Sequence, residues 1–345
     1  MELFPESRRA DERYQKMREC ASDGMHEVTV VIPNWNGMKY LPDCLSSLHR
    51  QTGISCRIIL IDNGSGDGSV EYVRENWPSV RIRAFHRNTG FCHAVNAGIS
   101  LSRTPYVILL NNDTVCEPDF VLEMTEGMKR HPDAFSGSAR MMQMYDRERI
   151  DDAGDFYCVL GWAFADGKGK PASARDREHQ VFSACAGAAI YRREYLEQTG
   201  FFDERHFAYL EDVDLGYRAR EAGYENWYFP KAVVYHAGSG ASGSRYNSFK
   251  TELVSRNSVY LIRKHMPCWQ IAVNSPFLLA GFLTKTAFFA KRGMGRLYVQ
   301  GLMKGLGMEI PDGNRKMAVW RGKNAVKIQR ELWKGLWIRV RNLMG

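Results

Sequence analysis

From Val28 onward, short apolar runs rich in β-branched residues alternate with stretches whose apolar residues fall three and four apart. Residues 28–33 (VTVVIP), 57–62 (RIILID), 80–85 (VRIRAF) and 106–110 (YVILL) predict strands. Residues 38–50, 69–77 and 91–102 lie between them and predict helices. Strand–helix alternation with short polar turns predicts an α/β fold, a mostly parallel sheet flanked by helices. Such sheets bind ligands beyond the carboxyl ends of their strands. Here those ends carry Asn, Asp and Gly together: Pro33-Asn34-Trp35-Asn36-Gly37, Asp62-Asn63-Gly64, Asn88-Thr89-Gly90-Phe91 and Asn111-Asn112-Asp113. Turns use these residues everywhere. Four such turns on one edge point instead to a polar site.

Residues 134–190 show no sustained period and predict an irregular segment, with exposed loops at 166–171 (DGKGKP) and 175–179. Residues 201–215 then place five carboxylates among aromatic residues. A helix is expected to start near Glu211 and Asp212, where acidic residues suit the helix dipole, and to end by Gly223. A strand at 232–236 runs into the small-residue stretch 238–243 (GSGASG). Beyond residue 251 the chain becomes helical and basic. Its longest uncharged run, 266–284, contains Pro267, Gln270, Asn274 and Pro276, which interrupt it as a membrane span. Trp333, Leu336, Trp337 and Val340 fall at i, i+3, i+4 and i+7 among Lys and Arg. That is the pattern of a basic amphipathic helix on a membrane surface.

Composition narrows the class. Of 345 residues, 44% are hydrophobic and 25% charged, which excludes disordered, collagen-like and disulfide-scaffold chains. The net charge of +8 is unevenly placed. Residues 285–345 hold 14 Lys and Arg against 3 Asp and Glu, a net of +11, so the remainder carries 33 against 36. The body is therefore not a nucleic-acid-binding surface, and an anionic membrane is the partner expected for the tail. The eight cysteines form no C-x-x-C pair and no zinc spacing, which suits a reducing compartment. The first twenty residues are polar, so no secretory signal is expected and the cytoplasm is the default location, with peripheral attachment to the inner face of the membrane. The expected organisation is a polar leader (1–26), a catalytic domain (27–245) and a helical basic region (246–345).

The ordered set VVIPNWNG, LIDNGSGDGS, NTGFCHAVNAGI, LLNNDT, FFDERHFAYLEDVDLGYRAREAG and VVYHAGSGAS spans about residues 28 to 243. Together these motifs resemble inverting family-2 glycosyltransferases of the A-type fold, in the rhamnosyltransferase-like branch. The resemblance implies transfer of a sugar, expected to be L-rhamnose from dTDP-rhamnose, from a nucleotide-diphosphate donor to a lipid-linked or polysaccharide acceptor. Pro33, Asn34, Asn36, Asp62 and Asn63 would line the nucleotide pocket. Asn88, Gly90, Phe91 and Asn96 would close over the nucleotide and face the donor sugar. Asn111-Asn112-Asp113 occupies the place of the D-x-D metal motif, with Asn where the first acid stands. Asp113 with His236 would hold a divalent ion (Mg or Mn), which draws much of its remaining coordination from water and phosphate. Asp212 would be the general base, with Glu211 beside it on the acceptor side. Two residues along a helix point about 200° apart, so Asp214 is expected to face a structural partner such as an Arg. Other expectations stay open: a UDP-hexose or UDP-galactofuranose transferase, or an inactive sugar-binding protein, raised by Asn111. A nucleotidyltransferase is the third, although PNWNG stands where its glycine-rich phosphate loop is expected.

Overall fold

The structure, a computed structural model, describes residues 26–238, 246–311 and 315–344. The polar leader and the glycine-rich stretch after Gly238 lie outside these residues. Strands β1 (Val28–Asn34), β2 (Cys56–Asp62), β3 (Arg81–Ala84) and β4 (Tyr106–Leu110) form the parallel half of one sheet, in the order β4-β1-β2-β3. Helices α1 (Leu41–His49), α2 (Ser69–Asn76) and α3 (Phe91–Leu101) connect them. Period-2 alternation explains the layering. Val28, Val30 and Ile32 of β1 enter the core on one face, while Val31 faces α3 residues Val95 and Ile99 on the other. After β4 come the short β5 (Thr114–Cys116) and α4 (Phe120–Arg130).

Residues 134–190, expected to be irregular, instead form part of the second half-sheet and a separate two-stranded sheet over residues 155–165. They give β6 (Ala134–Gln143), β7 (Asp146–Asp152), β8 (Asp155–Cys158), β9 (Trp162–Ala165) and β10 (His179–Val181), and β11 (Ala188–Arg192) follows. Strand β6 reads AFSGSARMMQ and is buried on both faces, so it lacks the apolar–polar alternation of a half-exposed strand. Its Gly137 is fitted to the Phe229 ring, which a Cβ would meet at 2.1 Å. Helices α5 (Arg193–Thr199) and α6 (Glu211–Glu221) precede the long β12 (Glu225–His236). The main path is β10-β12-β6-β11-β4-β1-β2-β3, with β5 on β12 and β7 on β6. Four of its seven junctions are parallel, with β11 inserted antiparallel between β4 and β6.

The C-terminal third is α7 (Ser248–His265), α8 (Cys268–Ala290), α9 (Gly295–Gly307) and α10 (Arg315–Met344). These helices share a core with the sheet: Leu261, Leu278, Ile328 and Leu332 pack with Tyr157, Phe182 and Tyr217. Helix α8 runs uninterrupted through Pro276. Proline there leaves the carbonyl four residues back without its helical donor, and the Ser275 hydroxyl donates to that Ala272 oxygen at 2.9 Å. By length and composition α8 is long and apolar enough to cross a membrane. It packs closely on the β8–β9 hairpin, where a Cβ at Gly281 would lie 2.2 Å from the Leu160 oxygen. On α10, Leu332 is fully buried while Trp333, Trp337 and Val340 are exposed.

Candidate active site

A cleft of about 980 Å³ opens at the carboxyl ends of β1, β2, β4 and β12 and at the start of α6. It gathers Pro33, Asn34, Asn63, Asn88, Phe91, Asn111, Asn112, Asp113, Glu211, Asp212 and His236, residues that lie up to two hundred positions apart. Asn36, Asp62, Gly90 and Asn96, also expected at the nucleotide, do not line the cleft: Asn36 is exposed on the β1 turn, and the other three support the wall. The Asp62 carboxylate is buried and accepts from Asn34 Nδ2 at 2.9 Å and from the Ser65 N–H at 3.0 Å. Asn34 in turn accepts from Asn112 Nδ2 at 2.7 Å, which ties β1, β2 and β4 together at their ends. Asn36, at a positive φ of 49°, clips the β1 turn to the β2 turn by accepting from the Gly66 N–H. Asn63 donates to Asn88 Oδ1 and to the Gly90 carbonyl, both at 3.0 Å. Gly90 has φ of 92° and leaves room for the Phe207 ring, which a Cβ would meet at 2.7 Å. Asn96 holds the backbone of Phe202 from both sides and donates to Glu204. It anchors the loop before α6.

Asp113 and His236, the residues expected to hold a metal, are contiguous with this wall. The Ala237 N–H donates to the Asp113 carbonyl at 3.0 Å, and β5 pairs with β12 at His236. His236 Nε2 therefore lies 3.3 Å from Asp113 Oδ1, while Nδ1 lies 2.8 Å from Asp151 Oδ2. Asp151 is itself 2.5 Å from Lys168 Nζ. Burial opposes the charged imidazole, but the bonds to Asp113 and Asp151 outweigh it and raise His236 to about 9. Burial likewise works against the Asp151 carboxylate, and His236 and Lys168 reverse it to about 2. Neighbouring ligands of an octahedral ion bound at about 2.1 Å stand roughly 3 Å apart, so Asp113 and His236 fit a shared divalent ion. Asp151 fixes the ring of His236 through Nδ1.

Across the cleft, α6 begins after three non-glycine residues with positive φ: Phe207, Tyr209 and Leu210. This backbone costs energy, and it aims Glu211 and Asp212 inward. Burial raises Asp212, although the Val213 and Ala186 N–H groups donate to its carboxylate. Burial and the Asp212 charge hold Glu211 well above the usual carboxylate range. Asp214 points the other way and is fully buried. It meets Arg218 Nε at 3.0 Å, Lys264 Nζ at 2.6 Å and His265 Nε2 at 2.9 Å. Burial opposes its charge, yet Lys264 and Arg218 bring it well below the ordinary value. Lys264 and His265 belong to α7, so the acidic helix is clamped to the C-terminal region.

Sequence reasoning missed the turn Asp151-Asp152-Ala153-Gly154-Asp155 between β7 and β8. Asp151 and Asp155 face the cleft, and Asp152 accepts from the Gly154 N–H at 2.6 Å. Three carboxylates in five residues were the available signal. The remaining wall is partly apolar (Phe164, Phe207, Phe249 and Val254) and carries Lys168 and Lys250.

A sheet of this order, with an asparagine- and aspartate-lined cleft over its strand ends, defines the A-type fold of nucleotide-sugar-dependent transferases. The chain matches Glycosyl transferase family 2 over residues 29–200 and belongs to that family. It is similar to the N-acetylglucosaminyl-diphospho-decaprenol L-rhamnosyltransferase of Mycobacterium tuberculosis, with 28% identity over 70% of this chain and 86% of the relative. Two solved structures share its fold. The mannosyltransferase PcManGT from Pyrobaculum calidifontis, in complex with GDP-Man and Mn2+, superposes with a TM-score of 0.53 at 15% identity, covering 92% of this chain and 87% of that one. S. aureus TarS 1–349 in complex with UDP-GlcNAc gives 0.57 at 14% identity, covering 92% of each. The protein is a rhamnosyltransferase-like family-2 glycosyltransferase, and its donor is a nucleotide sugar.

Proposed function

We propose that this protein is an inverting, metal-dependent transferase that adds L-rhamnose from dTDP-rhamnose to a lipid-linked or cell-surface polysaccharide acceptor. The observation that carries the proposal is one cleft holding Asp212 on one side and the Asp113–His236 pair on the other. The rhamnose assignment is supported by the relative that is 28% identical. Asn34, Asn63, Asn88 and Asn112 form the polar wall suited to the nucleotide, with Pro33 and Phe91 against its rings. Asp113 and His236 would hold a Mg or Mn ion. When bound, that ion neutralises charge on the leaving diphosphate, a contribution of several kcal/mol. Asp212 takes the acceptor hydroxyl proton while the acceptor oxygen attacks the anomeric carbon from the face opposite the diphosphate. Glu211 flanks it on the acceptor side.

The acceptor's origin is supported by the outer surface. Leu279 and Leu283 on α8, Met303 and Leu306 on α9, and Trp333 and Trp337 on α10 are exposed apolar side chains. They lie in the part of the chain whose last 61 residues carry a net +11. Apolar anchors among basic residues suit peripheral attachment to an anionic cytoplasmic leaflet. Helix α8 borders the β8–β9 hairpin, whose Phe164 lines the cleft, so a membrane-borne acceptor would enter beside it. The deciding experiment is Asp212→Asn. General-base catalysis supplies about 10²- to 10⁴-fold, so transfer should fall by that factor while donor affinity stays within a few-fold. Wild-type turnover by Asp212→Asn would refute the assignment.

A further inference from the structure

Asp212 has a carboxyl neighbour to which the reaction as described assigns no task. One turn along α6 from Asp212, on the same face, stands Gly216. A Cβ at Gly216 would lie 2.4 Å from the Ser183 Cβ and 2.9 Å from the Phe182 oxygen. Those two residues are bridged to the start of β8: the Asp155 N–H donates to the Ser183 oxygen at 3.0 Å, and the Phe182 N–H donates to the Asp155 oxygen at 2.9 Å. The first turns of α6 therefore lie across Asp155. Its carboxyl and that of Asp212 meet in a hydrogen bond, and both line the cleft.

Two ionised carboxylates have no donor between them, so this bond needs one shared proton. The surroundings place it. Burial works against the Asp212 anion, but Asp212 already accepts two backbone N–H groups, from Val213 and Ala186, which stabilise it. Around Asp155, burial comes first, then the charges of Asp152 and Asp212, with Lys168 as the opposing cation. These raise its carboxyl well above the ordinary range.

We propose that Asp155 is a positioning residue for the transfer, a neutral carboxyl that donates to Asp212 and aims its ionised oxygen at the acceptor hydroxyl. The proposal rests on Asp212 being the base. In the transfer, the acceptor O–H proton passes to Asp212 as the bond from oxygen to the anomeric carbon forms. The bond from that carbon to the diphosphate breaks, and its electron pair leaves with the nucleoside diphosphate. The Asp155 proton stays where it is.

The test compares Asp155→Ala with Asp155→Asn. The asparagine amide keeps an N–H donor where the carboxyl O–H stood, and alanine removes it. Asp155→Ala should lower kcat about 10- to 100-fold, the worth of one hydrogen bond to a charged acceptor, with donor affinity unchanged. Asp155→Asn should recover most of that loss, to within about fivefold of the wild type. An infrared difference spectrum, wild type minus Asp155→Asn, should contain a protonated-carboxyl C=O band. Full turnover by Asp155→Ala, asparagine no better than alanine, or no such band would each overturn the proposal. The band is read on wild type and Asp155→Asn, so it decides even where the alanine variant fails to fold. Asp212→Asn is assayed in parallel: full activity there refutes the base itself, whereas its inactivity beside a fully active Asp155→Ala refutes only the role of Asp155.

Discussion

Leu332→Ala asks whether the last helix is part of the catalytic body or an appendage to it. Leu332 is fully buried, packs with Tyr157, Phe182 and Tyr217, and accepts the Val159 N–H at 3.3 Å through its backbone oxygen. Tyr217 lies on α6, three residues from Asp214 and about one and a half turns along from Asp212. Deleting the isopropyl group leaves a cavity in this core, and such truncations cost about 2–5 kcal/mol. That is a large share of the roughly 5–15 kcal/mol by which domains are stable. With a urea slope of about 3 kcal/mol per M, a loss of about 3 kcal/mol lowers the midpoint by about 1 M at unchanged slope. Trp337→Ala is the matched control on the same helix: its ring is 61% exposed, so its effect should stay within about 0.5 kcal/mol. Urea melts followed by far-ultraviolet circular dichroism give both numbers. Amide exchange should speed up in α6 as well as α10 for the Leu332 variant. A wild-type midpoint, or faster exchange confined to α10, would refute a shared core.

Asp214→Asn should cost about 3–5 kcal/mol, because it leaves Arg218 without its buried counter-charge and Lys264 with Asp203 alone. The Asp214 carboxylate is held below its unfolded value, so its stabilisation is complete above about pH 4 and is lost as pH falls towards the folded value. The variant should flatten that acid limb in a stability–pH series, and an unchanged limb would remove Asp214 from the account. Asp113→Ala should weaken nucleotide-sugar binding with Mn²⁺ present and leave metal-free binding alone; equal losses would make Asp113 structural. Replacing Trp333 and Trp337 together by Ser should reduce recovery on anionic vesicles, and raised salt should release the wild type. Equal recovery of both proteins would contradict membrane attachment.

The nucleotide side of the fold was legible because its signals are local. β1, β2 and β4 are short aliphatic runs; Asn34 ends β1, Asn63 and Asn111 directly follow β2 and β4, and Asn88 lies four residues beyond β3. Helix α6 announced itself through Glu211, Asp212 and the break at Gly223. The second half-sheet was not legible, since β6 is buried on both faces and spends Gly137 on accommodating Phe229. Pro276 read as an interruption because the Ser275 hydroxyl that serves the orphan Ala272 carbonyl is a side-chain device, invisible to hydropathy. The partners of Asp214 came half into view. Arg218 is one turn along the same helix, but Lys264 and His265 arrive from fifty residues away. A similar distance hid the approach of Asp155 to Asp212, which stand where Gly216 of α6 packs on Ser183.

The measurement that bears most directly on the central claim is a panel of nucleotide sugars offered with Mn²⁺ and a lipid-linked glycan acceptor, with the released nucleotide identified. Metal-dependent release of a nucleoside diphosphate is expected, greatest with dTDP-rhamnose, together with a glycosylated acceptor of inverted anomeric configuration. A preference for a UDP-hexose or UDP-galactofuranose would move the donor assignment and leave the mechanism standing. Release of pyrophosphate, or tight binding of a nucleotide sugar with no turnover, would contradict it.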